Sequence, residues 1–426
     1  MENRFEHALT KLSGGLRCLT VPIPSSKSIT LMVLVRAGSR YETRDDNGIS
    51  HFMEHMFFKG AEKYPDTMAV ASAIDGSGGS FNAFTSEEMV GYFVKISSAK
   101  METAYDVLSD MLLKSRFNPE EIQRERGVIV EEIRMHHDDP MSQVHLDYHS
   151  LILGDQPLGW DIAGTEEVVS SATRDMFLQH HERFYYGANM VICAAGDIDP
   201  KKNEELCNKY FVYTDSSEPA KPDPFKKLKT DRVFAREKAT EQAHFIFGFQ
   251  TCGSGHDDET ALKVMNTVLG GAMSSRLFYQ IRERRGLAYY IHSSLSLYND
   301  VGLFHVSAGV NLNKVEEALK CAVAEIEKIT AEEIPEEELN RAKQNINGHT
   351  DLALEDSRRV ASLYGMREIL HGKIKTPEEL TAEVNAVTSK QILNAARRYL
   401  VDDEMKMAVI GPYKNGSIWD NVFRIS

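Results

Sequence analysis

The pentapeptide His51-Phe52-Met53-Glu54-His55 constrains this chain more than any other feature of its sequence. Residues four apart lie on the same face of a helix, so the two imidazoles are close enough to hold one metal ion. Glu54 shares that face and offers the carboxylate that accepts a proton from an activated water. The pattern therefore predicts a hydrolytic metal centre. The alternative is a helix with two surface histidines and an unrelated glutamate.

The flanking residues place this motif on a buried helix. The turn-rich run 45–50 predicts a helix cap at Ser50, and Gly60 predicts the end of the helix after an apolar turn. Buried histidines and a buried glutamate need partners, which a metal ion would supply. The order H-x-x-E-H inverts the common H-E-x-x-H arrangement and is the inverzincin signature.

The segment 118–133 offers candidates for a third ligand, since a catalytic zinc usually has three. Its predicted apolar stripe consists of Ile122, Val128, Ile129, Val130 and Ile133. Glu125 and Glu132 fall within this stripe, whereas Glu131 falls on the opposite side. Carboxylates on a core-facing stripe are costly unless something pairs with them. Metal ligation is one explanation, and ion pairs with arginines such as Arg126 are the other.

With these residues the chain resembles the zinc metallopeptidases that include pitrilysin, insulysin and the mitochondrial processing peptidase. In that family a glutamate ligand in a second helix follows the motif, with another carboxylate seven residues before it. The resemblance implies one zinc ion per chain, bound by His51, His55 and Glu132. It implies that Glu54 is the general base and that Glu125 supports the site. Glu131, directly before Glu132, is the remaining ambiguity, and the helical periodicity favours Glu132.

The stretch 80–86 resembles the edge strand of the active site in that family. The resemblance implies that Asn82 and the backbone at Ala83 hold an extended peptide substrate, a known recognition mode for an exposed sheet edge. The glycine-rich run 76–79 before it permits close approach of another backbone. An ordinary loop followed by a strand is the alternative.

Composition narrows the class of protein. The 426 residues contain no apolar run long enough for a membrane span, and the first residues lack the apolar segment of a signal peptide. The five cysteines are scattered, which favours reduced thiols and a cytoplasmic protein. A net charge of −14 disfavours nucleic acid as a partner.

A weak internal repeat divides the chain. The polar, proline-bearing stretch 214–232 predicts a linker between a catalytic domain, 1–213, and a degenerate homologous domain, 233–426. The resemblance implies that each is an α+β domain, with helices packed on an antiparallel sheet. Ala342 and His349 stand in the second copy where Glu125 and Glu132 stand in the first, so that copy lacks the metal ligands.

The second half resembles the family in another segment, 274–290. The resemblance implies that Arg282 and Tyr289 reach the scissile peptide, where a guanidinium and a phenol can stabilise an oxyanion. Tyr290 is the neighbouring alternative to Tyr289. A basic helix end followed by an aromatic strand is the purely structural interpretation.

The favoured function is a zinc-dependent endopeptidase or oligopeptidase that cleaves extended peptides or unfolded segments inside a closed chamber. The alternatives are a non-catalytic scaffold or partner subunit of the same fold, and a metal-dependent hydrolase of other substrates. The resembling family encloses substrate between four homologous domains, and this chain has two. We therefore expect a homodimer, with peptides as substrates and neither nucleic acid nor membrane as a partner.

Overall fold

The computed structural model describes residues 5–214, 217–416, 419 and 422–425, so residues 215–216 of the predicted linker lie outside it. The chain forms two compact units, and each is assembled from separate stretches of sequence. Unit 1 comprises residues 1–133, 160–223 and 351–378. Unit 2 comprises residues 134–159, 224–350 and 379–426.

Unit 1 contains a six-stranded sheet in the order β1-β2-β6-β3-β5-β4. Its strands are β1 Ala8–Lys11, β2 Arg17–Pro22, β3 Ser28–Val35, β4 Ser80–Thr85, β5 Val90–Ser97 and β6 Met190–Gly196. Its helices, numbered along the whole chain, are α1 Ile49–Phe57, α2 Thr67–Asp75, α3 Met101–Leu113, α4 Pro119–Asp138, α6 Glu166–Ser171, α7 Arg174–Phe184, α8 Pro200–Tyr210 and α12 Ser357–His371. Both faces of the sheet are covered, and strand β3 is accordingly apolar at every position except Ser28 and Thr30.

Unit 2 contains a five-stranded sheet in the order β7-β11-β8-β10-β9. Its strands are β7 Val233–Glu237, β8 Gln242–Thr251, β9 Ala288–Leu297, β10 Gly302–Asn311 and β11 Lys406–Gly411. Its helices are α5 Pro140–Leu153, α9 Glu259–Leu269, α10 Val315–Ala331, α11 Glu336–Ala353, α13 Pro377–Ala386 and α14 Ser389–Tyr399, with a short π-helix at Phe278–Glu283.

The predicted α+β class and the repeat are confirmed. Read from one edge, the sheet of unit 1 has the order β4-β5-β3-β6-β2 and the sheet of unit 2 has the order β9-β10-β8-β11-β7. The strands of the two orders correspond one to one along the chain. Each sheet is largely antiparallel, but β2 pairs parallel with β6 and β7 pairs parallel with β11. The sheets are therefore mixed, where the sequence predicted antiparallel ones. None of the described helices is both long and apolar enough to cross a membrane.

Two helices depart from the predicted domain boundaries. Helix α5 lies before the linker in sequence but packs on β8 and β11 of unit 2, and α12 lies after it but packs on β3 and β6 of unit 1. The sequence analysis gave no indication for either helix, because nothing in one helix tells which of two similar sheets it covers. The units therefore exchange one helix each, and the division at 213 and 233 does not describe them.

Candidate active site

Helix α1 begins through a cap that the sequence did not reveal. Gly48 is the N-cap, with φ of 97°, and Ser50 lies inside the helix instead of capping it. The buried Glu42 carboxylate accepts the backbone N–H groups of Gly48 and Ser50, both at 2.8 Å. The expected end of the helix is confirmed, since α1 stops at Phe57 and Gly60 has φ of +130°. These contacts and the buried apolar face of α1 fix the direction in which its polar side chains point.

The two histidines of α1 meet Glu132 of α4 at the surface of unit 1. The Nε2 atoms of His51 and His55 lie 3.9 Å and 3.7 Å from the Glu132 carboxylate oxygens. Among the described residues, these three form the only group of at least three His, Cys, Asp or Glu side chains with ligand atoms within 4.8 Å of one another. Tetrahedral zinc places such atoms roughly 3.4 Å apart, so the donor set and its spacing fit zinc after small side-chain movements.

Glu125 contacts the second ring nitrogen of His55, and Lys59 in turn pairs with Glu125. The Nδ1–H of His55 donates to Glu125 Oε1 at 2.9 Å, which leaves Nε2 with the lone pair that a metal needs. The Lys59 ammonium lies 2.5 Å from the other oxygen of Glu125. Burial acts to raise the pKa of Glu125, but the hydrogen bonds from His55 and Lys59 outweigh it and hold that pKa below its ordinary value. Glu125 therefore stays ionised. The family resemblance implied this place for Glu125, but no sequence feature pointed to Lys59.

Glu54 projects from α1 toward the end of strand β4. The hydroxyl of Thr85, the last residue of β4, donates to Glu54 Oε2 at 2.5 Å. Burial raises the pKa of the Glu54 carboxyl, and the bond from Thr85 opposes part of that rise. A carboxyl whose pKa lies closer to neutrality is a better general base at neutral pH. Thr85 lay within the stretch that the sequence singled out, but only the folded chain shows what it contacts.

The neighbours Glu131 and Glu132 lie on different sides of α4. Glu131 is exposed, whereas Glu125 is buried and Glu132 is half-buried at the metal site. One part of the predicted stripe was wrong, because Val128 is 53% exposed. The rest of the predicted stripe holds, because Ile122, Ile129 and Ile133 are buried and Val130 packs half-buried against the same core.

Strand β4 is the edge strand that the sequence predicted. It pairs with β5 on one side and ends the sheet order of unit 1. The backbone N–H of Ala83 donates to the side-chain oxygen of Asn82 at 2.8 Å. That N–H therefore points away from β5, toward the edge of the sheet.

Arg282 and Tyr289 lie in unit 2, apart in sequence from the metal ligands. Arg282 is exposed on the π-helix, with its guanidinium 4.9 Å from the ring centroid of Phe278. The Tyr289 side chain is 75% exposed, whereas the hydroxyl of Tyr290 lies 3.1 Å from Nδ1 of His244. Burial raises the pKa of Tyr290 to about 12, and the Asp139 carboxylate adds to the rise. Tyr289 is thus accessible to a ligand, and Tyr290 is held within unit 2.

Two family profiles match the chain. Residues 17–166, which include the pentapeptide, match the insulinase profile of peptidase family M16, and residues 171–346 match the profile described as the peptidase M16 inactive domain. An uncharacterized zinc protease of Streptomyces coelicolor is 34% identical over 95% of this chain and 90% of its own length. YmxG, an uncharacterized zinc protease of Bacillus subtilis, is 35% identical over 94% of this chain and 97% of its own.

The chain belongs to peptidase family M16. A solved structure of a protease from Helicobacter pylori has the same fold, with a TM-score of 0.90 at 23% identity over 96% of this chain and all of that one. Relatives of this chain in family M16 are called zinc proteases, and its two-unit length is that of the short members. The pentapeptide and its third ligand candidate lie in the part that matches the peptidase profile.

Proposed function

We propose that this M16 chain is a zinc-dependent endopeptidase that cleaves extended peptides and unfolded segments. The observation that carries the proposal is the convergence of His51, His55 and Glu132 beside a half-buried carboxylate, Glu54, that is not itself part of the metal-binding group. A ligand set of two imidazoles and one carboxylate is typical of catalytic zinc and leaves a position open for water or substrate.

A zinc ion at this site supplies Lewis acidity, which makes water more acidic and a peptide carbonyl more electrophilic. Glu54 accepts the proton of the attacking water on a carboxylate oxygen and then delivers it to the leaving amine. Thr85 holds the Glu54 carboxylate in place for this proton transfer by donating a hydrogen bond to it. Since Thr85 ends the edge strand β4, the strand that would pair with the substrate also orients the base.

Two alternatives are less well supported. A non-catalytic subunit has no need for the pairing of Glu125 with both His55 and Lys59, because that pairing costs burial of charge and serves only to orient a ligand. A hydrolase of other substrates has no need for an open sheet edge beside its base. Asn82 and Ala83 at that edge favour a peptide.

The test is cleavage of unstructured peptides of mixed sequence, mapped by mass spectrometry with and without a chelator. We expect internal cuts that stop on chelation and return when zinc is restored, while a stably folded protein of ordinary size is spared. Cleavage that survives complete removal of zinc, or no cleavage by protein shown to carry zinc, would contradict the proposal.

We further propose a homodimer with shared active sites, which enclose the substrate and which join the base of one copy to Tyr289 of the other. The support is that unit 2 carries an exposed Tyr289 and Arg282 but no metal-binding group among its described residues. Mixing the variants Glu54→Gln and Tyr289→Phe should restore activity, since one site in a mixed dimer has both residues intact. A monomer in solution, or no recovery despite demonstrated subunit exchange, would refute it.

The thiols fit the cytoplasmic location that we propose. The five cysteines are scattered along the sequence, and all are free thiols in the structure. Scattered free thiols are typical of proteins in a reducing compartment.

A further inference from the structure

The turns that lead into two corresponding strands carry different charges. In the described part of the chain, strand β4 ends the sheet order of unit 1 and β9 ends that of unit 2. Gly78 and Gly286 each stand two residues before the strand begins, with φ of +66° and +58°, so the two turns correspond. The four residues before Gly78 carry a single charge, that of Asp75. The four before Gly286 are Arg-Glu-Arg-Arg, residues 282–285.

The three arginines of this turn have no acidic partner among the described residues. Arg282, Arg284 and Arg285 are exposed, and none of them forms an ion pair with a residue that the structure describes. Glu283 lies between two of the arginines, but neighbouring residues of a helix point in different directions. The turn therefore presents three positive charges against one negative charge.

Strand β9 and helix α10 pack on the π-helix, and neither supplies the arginines with a carboxylate. Strand β9 contains neither aspartate nor glutamate. Helix α10 has four glutamates, of which Glu327 does not contact the three arginines. The other three pair with lysines: Glu316 with Lys320, Glu317 with Lys314 and Glu325 with Lys328. The positive charge of the turn is thus not neutralised by the described residues around it.

Neighbouring groups hold the guanidiniums in place. Gln280 accepts from Arg285 through its main-chain carbonyl at 2.7 Å and its side-chain oxygen at 2.9 Å, and the same side-chain oxygen accepts from Arg284 at 3.4 Å. The Arg282 guanidinium lies 4.9 Å from the centroid of the Phe278 ring. Each guanidinium has five N–H donors in a planar fork, so these bonds leave most of the donors available to a ligand.

The clustering of these charges indicates a ligand. Like charges this close repel, and the corresponding turn of unit 1 shows that the fold does not need them. The turn is closed by a π-type bond from the Arg284 N–H to the Tyr279 carbonyl at 2.8 Å, and π-helical turns occur frequently at functional sites. Planar guanidiniums bind carboxylates and phosphates through two parallel bonds. An anionic group is therefore the ligand that this turn fits.

The position of the turn favours a peptide carboxylate over a phosphate. Tyr289, four residues after Arg285, is 75% exposed and is the residue that the proposed dimer brings to the scissile peptide. Nucleic acid needs many cationic contacts, whereas this turn has three arginines against one glutamate, in a chain of net charge −14. Charges beyond about 8 Å are screened at physiological salt, so the turn and not the net charge decides what binds here.

We propose that Arg284 and Arg285, assisted by Arg282, bind an acidic segment of the peptide substrate. The proposal rests on the proposed peptidase function and gives it a selectivity, since peptides with aspartate or glutamate beside the cleaved bond bind more tightly. Two exposed, bidentate ion pairs together favour such a peptide by about tenfold. The effect is one of binding, and the bond-breaking step at the metal site is unchanged.

The test uses the full-length chain with Glu54→Gln, which binds peptides without cutting them. Two fluorescent peptides share an uncharged central sequence, and one carries glutamates on both flanks where the other carries glutamines. Fluorescence anisotropy gives the affinity of each. We expect the glutamate peptide to bind about tenfold more tightly than the glutamine peptide. A single-stranded oligonucleotide of similar length is the third probe, and it should bind more weakly than the glutamate peptide.

Two variants locate the effect. Arg284→Gln combined with Arg285→Gln should abolish the preference for glutamate, while the affinity for the glutamine peptide, which reports correct folding, stays the same. Arg284→Lys combined with Arg285→Lys keeps the charges without the planar forks and should retain part of the preference. The matched control is Arg358→Gln combined with Arg359→Gln, an adjacent exposed pair on α12 of unit 1, and it should leave the preference unchanged.

Equal affinity for the two peptides would overturn the proposal, as would a preference that survives the loss of Arg284 and Arg285 or disappears in the control. Tighter binding of the oligonucleotide would assign the turn to phosphate groups and overturn it as well. In the zinc-loaded wild-type chain the preference should appear in KM and not in kcat. Cleavage without any preference would refute this proposal alone, whereas a binding preference without cleavage of either peptide would refute the peptidase function alone.

Discussion

The two units build nearly the same sheet but carry different residues on the helices beside it. In unit 1, α1 presents His51, Glu54 and His55, whereas the counterpart α9 in unit 2 buries mainly apolar residues. In α11, the counterpart of α4, Ala342 is buried and His349 is exposed. Unit 2 therefore folds without a metal-binding group in its described residues. The polar cluster of unit 1 is not required by the fold, and its cost in buried charge supports the proposed metal-dependent activity.

The largest effect that follows from this contrast is on catalysis. Glu54→Gln should lower the rate of peptide hydrolysis by about 10³-fold, within the range for loss of a general base. Zinc content should not change, because Glu54 is outside the metal-binding group. A fluorogenic peptide assay with elemental analysis measures both. The control is Glu131→Gln on the exposed side of α4. Equal loss of activity in that variant would contradict the assignment of Glu54 as the general base.

The zinc content of variants should show directly which of the two units binds the metal. We expect about one zinc per chain, since one unit has the ligands. His55→Ala or Glu132→Gln should bring it close to zero, whereas His349→Ala in unit 2 should leave it unchanged. Elemental analysis after gel filtration decides this. Two tightly held zinc ions per chain, or zinc lost through His349→Ala, would show that the contrast between the units is wrong.

A smaller effect is expected at Lys59, which contacts the site only through Glu125. Lys59→Met should weaken zinc affinity by about tenfold, at the low end for loss of a residue behind a metal ligand. Competition with a chromophoric chelator gives the affinity. Lys63→Met is the matched control, because Lys63 pairs with Asp106 away from the metal ligands. The interpretation fails if both variants bind zinc alike.

A further effect is one of stability, and here the units should behave alike. Burial lowers the pKa of His180 in unit 1 and of His305 in unit 2 to about 3, from an ordinary value of 6.5. The unfolded chain then binds protons that the folded chain does not, so stability is full above pH 6.5 and is lost as the pH falls toward 3. At pH 5 each histidine should cost about 2 kcal/mol.

Two tryptophans allow each unit to be followed separately, since Trp160 lies in unit 1 and Trp419 in unit 2. In urea unfolding at pH 7.5 and pH 5, His180→Gln should reduce the acid sensitivity seen by Trp160 alone. His305→Gln should do the same for Trp419. If both variants change both signals equally, the units unfold as one, and the separation drawn here does not extend to their stability.

Much of the site could be predicted from local periodicity. The i, i+4 spacing of His51 and His55 and the position of Glu132 on the inner side of α4 depend only on the geometry of a single helix. The same periodicity wrongly predicted that Val128 is buried. Helical periodicity gives the direction in which a side chain points, but not how far the neighbouring core extends. It also gave no sign of Lys59 or Glu42, since each acts on a partner that is brought near only by folding.

The sequence by itself determined which unit carries the candidate metal ligands, because the types of these residues and their helical spacing can be read from short stretches of sequence. It also indicated an internal repeat, and the family resemblance implied the α+β class. The tertiary structure alone decided that α5 packs on the sheet of unit 2 and α12 on the sheet of unit 1. This result depends on which of two similar apolar surfaces a segment covers. That choice depends on the free energy of packing over the whole chain, which no single stretch of sequence specifies.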